Sequence, residues 1–346
     1  MNASTHVLAI LAAAAMAPGI ATAQNYPTKS VTTIVPFAPG GSTDIIARTM
    51  AQKLGEIWGH TVIVDNRAGG NTIIGTEMVV KAAPDGYTLL NAAAPLSTNV
   101  GLYAGRLPYD VFRDLAPIMF INTTPLVFTV NASLPAKSIK EFVALAKARP
   151  GKMFFGSSSA GGINHLSGEL FNMLAGTNIT HVPYKGNAPA LTDLLGGRLD
   201  FVFNGTTSVL SQLQSGKLRG LAVSSPKRAS SLPDVPTLDE SGLKGFQSFG
   251  WNAMLAPAKT PSALIAKINA DTNKALNSPE VQQRLKNDGS EAVGGTPEAL
   301  TAFLKEDSAK WAKVAKAANT QLSRAHPQPT PVPTQYDHSP LVIPSS

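Results

Sequence analysis

The chain has 346 residues, 43% of them apolar, enough for two ordinary globular domains with cores of their own. Its 29 Lys plus Arg against 22 Asp plus Glu give a formal charge of +7, yet only 15% of residues are charged, well below the usual quarter, so the field is weak. No block of five like charges and no basic stretch interleaved with aromatics occurs, which argues against a nucleic-acid groove; the absence of cysteine excludes thiolate metal sites, cysteine nucleophiles and disulfide staples.

The N-terminus joins a short polar start to an apolar run from Val7 to Ala17, then Pro18, Gly19 and Ala21-Thr22-Ala23, a pattern read as an export signal over residues 1–23. Its start lacks Lys and Arg, leaving His6 and the free amine as the basic groups. The run falls short of the roughly 17 to 25 residues that span a bilayer, and no later segment reaches that length, so the expectation is a periplasmic protein cleaved near Ala23. The removed segment holds no Lys, Arg, Asp or Glu, and the charge stays at +7.

Beyond it, short β-rich runs alternate with helical patterns, the signature of an α/β fold with mainly parallel strands. Strand "SVTTIVPF" precedes a helix from about Ser42 to Ile57; strand "TVIVDN", a Gly-rich turn and a helix from about Ile73 to Ala82 lead to strand "YTLLNA". A second series begins near Phe128. Helix "SIKEFVALAKARP" stops at Pro150, strand "KMFFGS" runs into a Gly/Ser loop, and "THVPYK", "APALTDLLGG", "LDFVFN", "TSVLSQLQSG" and "LRGLAVS" continue the alternation. Helices "PSALIAKINADTNKAL" and "TPEALTAFLKEDSAKWAKVAKAAN" close the fold, each with Pro near its first turn. No repeat of fixed period is present, which argues against solenoids and propellers. The Pro-rich stretch from residue 325 to 346 has no helical or strand period and reads as a disordered tail.

Two stretches echo each other, "TTIVPFAPGGSTDIIAR" and "MFFGSSSAGGINHLSGEL": an apolar strand, a Gly/Ser loop, a helix start. In the first, Ser42 or Thr43 is placed to cap the helix, while Gly40 and Gly41 permit close backbone approach. Exposed N–H groups and the positive end of a helix would favour a carboxylate without any Lys or Arg, although an ordinary capped loop fits the first stretch as well. The second, Gly156 to Gly162, repeats the chemistry, and two such loops in two halves favour a ligand gripped at both ends. Asp44 is favourable in a first turn for its own sake, with a ligand ammonium as the alternative. Asp200 reads as structural and Asn204 as better placed for a cleft.

Enzyme signatures are missing. The cluster "NRAGGNTIIGTE" fits neither the dinucleotide fingerprint nor the phosphate loop, no Gly-x-Ser-x-Gly elbow surrounds Ser157, Ser158 or Ser159, and His60, His165 and His181 lack metal-ligand spacing.

Several segments resemble the Bug family, extracytoplasmic solute receptors of tripartite tricarboxylate transporters: "YPTKSVTTIVPFAPGGSTDIIARTMAQKLGE", "VIVDNRAGGNTIIGTEMVVKAAPDGYTLL", "HLSGELFNMLAG", "HVPYKGNAPALTDLLGGRLDFVFNG" and "LAVSSPKRASSLPDVPTLDESG". The likeness covers roughly Tyr26 to Ala318. It implies a two-lobed periplasmic-binding-protein fold of the second type, its lobes joined by crossing strands near Pro125 to Asn131 and Phe249 to Pro257. Residues 24–125 and 250–324 would then form lobe 1 and residues 126–249 lobe 2. It also implies a small carboxylate ligand held by main-chain N–H groups, delivery to membrane permease subunits, a monomer, no cofactor and no chemistry. The implied first-lobe anchor is Phe37, Ala38, Gly40, Gly41, Ser42, Thr43 and Asp44; the second-lobe anchor is Ser157, Ser158, Ala160, Gly161, Gly162 and Asn164; Thr72 and Asn204 belong to the walls. The chain departs from the family pattern at "NRAGGNTIIG", where "NRPGAGGNIG" is common, at Asn204, where an acid is common, and in its tail. An exported enzyme and a receptor docking on a sensor kinase are the competing classes.

Overall fold

The computed structural model describes residues 26–318 except residue 185, so the signal reading and the Pro-rich tail lie outside the described residues. Two sets of alternating strands and helices follow the same plan. In the first, β1 (Val31–Val35), α1 (Ser42–Trp58), β2 (Val62–Asn66), α2 (Ile73–Val80), β3 (Thr88–Ala93) and α3 (Pro95–Leu102) make a parallel group in the order β2-β1-β3. After the short α4 (Val111–Asp114), the long β4 (Leu115–Asn131) and α5 (Ile139–Ala148), the second set begins. There β5 (Phe154–Ser157), α6 (Ile163–Ala175), β6 (Thr180–Pro183), α7 (Asn187–Leu195), β7 (Phe201–Gly205) and α8 (Thr206–Gln214) give the matching order β6-β5-β7. The remaining elements are β8 (Leu218–Val223), β9 (Phe249–Pro257), α9 (Ser262–Leu276), α10 (Pro279–Asn287), β10 (Glu291–Gly294) and α11 (Pro297–Ala317).

The matched helices form for matched reasons. In α1 the apolar residues Ile46, Met50, Leu54 and Trp58 recur at helical spacing and are buried, and Gly59, at φ 67°, ends the helix by returning its N–H to Gly55 O. In α6 Leu166, Leu170 and Phe171 do the same, and Gly176 ends it at φ 61°.

The expectation of mainly parallel strands is corrected. Among the described residues four strand pairings are parallel and five antiparallel, because β4 and β9 run back against their neighbours. β4 joins the two halves: Leu115 to Pro125 pair with β9, and from Leu126 onward the same residues pair with both β7 and β8. Proline cannot donate to a ladder, and Pro125 stands where the partners change. β9 pairs with β3 and β4 on the first-half side, so the return passage lies just before it, where Ser248 N donates to Ser224 O at 3.0 Å.

The second half is built around phenylalanines: Phe128 stacks on Phe201 at 4.3 Å and meets Phe142, Phe171 and Phe203. α11 links the halves. Its Leu300 and Leu304 fill the first-half core, whereas Trp311, Val314 and Ala315 belong to the phenylalanine core of the second. Gly101 of α3 makes this approach possible, since a Cβ there would come within 2.5 Å of Ala312 Cα.

Candidate functional site

Parallel strands deliver their C-terminal ends, and the helix starts that follow, to one edge of a sheet. Here both edges face one cavity of about 330 Å³. Ser42 and Thr43 of α1, Asn71 ahead of α2, and Ala94 and Pro95 at α3 line it from the first half. From the second come Ser158, Gly162, Ile163 and Asn164 at α6, Asn187 at α7, and Gly205 and Ser208 at α8.

These six helix starts share a property. Their N-caps are Gly41, Thr72, Ala94, Gly162, Gly186 and Gly205, and none makes a side-chain capping bond. Of the helices that begin away from the cavity, α4, α5 and α11 are capped by Asp110, Ser138 and Thr296, whereas α9 and α10 also lack a side-chain cap. The first N–H groups of a helix lack internal partners and carry the positive end of its dipole; at α2 the loop takes them up, Ile73 N donating to Gly70 O and Ile74 N to Gly69 O, and α3 begins with Pro95, so the surplus of donors turned toward this space comes from α1, α6, α7 and α8. Among the described residues that line it there is no Lys, Arg or His.

The two Gly/Ser loops are set by one backbone device. Gly40 (φ 88°) and Gly161 (φ 75°) take the left-handed turn that a Cβ disfavours, and the next glycine is the N-cap. The expected capping by Ser42 or Thr43 is therefore corrected: Gly41 occupies the cap position, and Ser42 Oγ instead donates to Asp288 Oδ2 at 2.5 Å.

Asp44 faces inward. Its carboxylate accepts from Gly40 N (2.9 Å), Arg48 Nε (3.0 Å) and Asn66 Nδ2 (2.9 Å). Burial alone would raise its pKa, but the hydrogen bonds from Arg48, Gly40 and Asn66 outweigh it and hold the group below the usual carboxylate range. It locks the loop, and with three donors already bound the ammonium-partner alternative has no observation behind it.

Behind the second loop, Ser157 is fully buried, its Oγ 2.7 Å from His181 Nε2 and 2.8 Å from Ser159 O. His165 Nδ1 accepts from Gly161 N at 2.9 Å, which leaves the other nitrogen to carry the proton toward Glu169 Oε1 at 3.5 Å. The two imidazoles stack at 3.6 Å. Burial, and then the neighbouring His165, push the His181 pKa down to about 2.

Of the residues expected at a site, the fold gathers Phe37, Ser42, Thr43, Ser158, Gly162 and Asn164 on the cavity wall. Ala38, Gly40, Gly41, Ala160 and Gly161 shape the loops beside it, and Asp44 and Ser157 brace them from within. Thr72 is buried at the α2 cap, in a left-handed conformation, with no protein partner for Oγ1. Asn204 is fully buried one residue short of the wall, and neither amide atom has a protein partner. Asn187 and Ser208 follow strand ends in the same way as the recognised loops, a signal that reading every βα loop alike would have caught. Thr124, Trp251, Asn252 and Asp288 come from distant segments with no local mark.

The likeness to known proteins agrees with this geometry. Residues 46–320 match the model of the tripartite tricarboxylate transporter family receptor. Protein BugT of Bordetella pertussis is 38% identical over 323 residues, covering 92% of this chain and 99% of its own. Among solved structures, Rpa4515 of R. palustris with adipate has a TM-score of 0.73 at 36% identity, over 85% of this chain and 98% of its own. MatC of Rhodopseudomonas palustris with bound malate has a TM-score of 0.71 at 29% identity, over 84% and 99%. The two-lobed periplasmic-binding-protein fold stands, its lobes joined by β4 and by the return passage just before β9. This chain belongs to the family of tripartite tricarboxylate transporter receptors, which are periplasmic solute-binding proteins and not enzymes.

Proposed function

We propose that the mature chain is a monomeric periplasmic receptor that captures a small carboxylate between its lobes and delivers it to the permease subunits of a tripartite transporter. The observation that carries this reading is the convergence of four uncapped helix starts with open N–H groups, those of α1, α6, α7 and α8, on one cavity whose described walls hold no cation. Such a site neutralises an anion with oriented N–H groups, and relatives of this fold bind adipate and malate. Phe37, Ser42, Thr43, Ser158, Gly162 and Asn164 are the proposed contacts. Asp44 and Ser157 hold the loops, and Thr72 and Asn204 stand behind the walls.

Residues 24–125 with 250–324, and residues 126–249, are the lobes that close on the ligand, with α11 reaching across to the second core. Closure follows when a ligand touches both loops and so favours the closed arrangement by its differential contacts. A thermal-shift screen of mono-, di- and tricarboxylates, aromatic acids and acidic amino acids tests the reading. A ligand at about 100 times its Kd adds about 2.7 kcal/mol, a shift of several degrees, and a panel in which no carboxylate raises the melting temperature would overturn it.

A further inference from the structure

A cavity made only to neutralise an anion has no use for an acid on its wall, yet Asp288 is one of its lining residues. Asp288 is the C-cap of α10, in the turn that leads to β10, and it is partly buried. Its Oδ2 accepts from Ser42 Oγ at 2.5 Å and from Ser290 Oγ at 3.4 Å. Among the described residues no donor reaches Oδ1 and no Lys, Arg or His pairs with the group, so it is the one formal charge on the described cavity wall. The next residue ties the turn to the other lobe: Gly289 O accepts from Thr206 Oγ1, at the start of α8, at 3.4 Å.

The cavity is therefore electrically lopsided. Around α6, α7 and α8 it presents helix starts and neutral side chains, whereas the α1 start has a carboxylate against it, Asp288 bonded to Ser42. A ligand with a carboxylate at each end would set its second anion against Asp288, and like charges brought together at an interface are strongly disfavoured. A ligand whose far end is an ammonium would instead meet Oδ1 as a charge-assisted hydrogen-bond acceptor.

Resting on the carboxylate reading above, we infer that Asp288 sets the ligand class, selecting a zwitterionic amino-carboxylate over a dicarboxylate of equal length. The carboxylate lies toward α6 and the ammonium toward Asp288.

Isothermal titration of the mature chain tests this with matched pairs: each linear dicarboxylate of four to six carbons against the amino-monocarboxylates of the same length, with the amino group at the α or the terminal carbon. The best amino-carboxylate is expected to bind wild type about tenfold or more tighter than the best dicarboxylate. Asp288→Asn should bring that ratio to one or below, and Asp288→Glu should keep it above one. A wild type that prefers a dicarboxylate overturns the inference, and so does an unchanged ratio in Asp288→Asn. The wild-type comparison decides alone should the variant lose its cooperative melt. A wild type that binds other carboxylates but neither class overturns the assignment of Asp288 alone, whereas one that binds no carboxylate removes the underlying reading with it.

Discussion

The loops before α1 and α6 are the same backbone drawn twice, and they differ in what locks them. In each, the third helical residue reaches back to the N–H of the left-handed glycine: Gly40 N to Asp44 Oδ2, and Gly161 N to His165 Nδ1, both at 2.9 Å. One lock is an anion already satisfied by Arg48 and Asn66; the other is a neutral imidazole stacked on a second one. Neither lock lines the cavity, so both loops keep their uncommitted donors for whatever lies between them. The pairing shows that loop geometry and ligand chemistry are supplied by different residues, and that the two lobes answer acid differently.

The largest expected effect comes from breaking the charged lock. Asp44→Ala strands the Gly40 N–H, unpairs Arg48 Nε and leaves the Asn66 amide only Phe37 O to donate to, which should cost about 2 to 3 kcal/mol in urea unfolding. Asp44→Asn keeps an oxygen for Gly40 and should cost about 1 kcal/mol. Carboxylate affinity should fall with the alanine variant, because the loop it removes is half of the clamp. A loss below about 0.5 kcal/mol in Asp44→Ala, within the range of an ordinary surface change, would show that the loop holds its shape by other means.

Acid should act differently on Asp44, which holds the first loop, and on His181, which backs Ser157 at the second. The Asp44 pKa is lowered, so its share of stability is complete above the usual carboxylate range and survives into more acidic solution. His181 is depressed from 6.5 to about 2, so between those values the unfolded chain takes up a proton that the folded chain refuses. Stability is full above about pH 6.5 and drains as pH falls. By pH 5 this group should have removed about 1 to 2 kcal/mol. Urea unfolding of wild type and His181→Gln at pH 7.5, 6 and 5 checks it: the variant should lose stability less steeply with acid, and parallel curves would assign the acid sensitivity elsewhere.

Much of this pairing was legible in the sequence, because a strand followed by Gly, Gly and a helix start is a local signal. β1, α1, β5 and α6 fall near their expected places, and so do Gly40, Gly41, Gly161 and Gly162. What stayed hidden depends on contacts between distant segments. β4 carries Pro117 and Pro125, which locally read as strand breakers, yet it runs the length of both lobes because β7, β8, β9 and β10 pair along it. Asp44 looked like a residue serving the helix dipole or a ligand, and only its approach to Asn66, far along the chain, shows it to be a lock. Asp288 carries no local mark at all, since its meaning lies in facing Ser42.

The smallest expected effect on stability separates the two glycines of the first loop. Gly40, at φ 88°, needs the left-handed region, so Gly40→Ala should cost about 1 kcal/mol even though its Cβ would meet nothing within 4 Å. Gly41, at φ −80° and ψ 168°, sits where any residue sits comfortably, and its Cβ also meets nothing within 4 Å. Gly41→Val should therefore lose only the N-cap preference for glycine over valine, and change unfolding free energy by less than about 1 kcal/mol. Its branched side chain would nevertheless stand at the helix start, crowding the first-lobe end of the cavity where Ser42 and Thr43 line it, and binding should be lost. Calorimetry with the carboxylate that gives the largest melting shift distinguishes the outcomes: a stable variant with unchanged affinity removes the first loop from the site, and a stable variant that no longer binds keeps that loop as the first-lobe wall of the clamp.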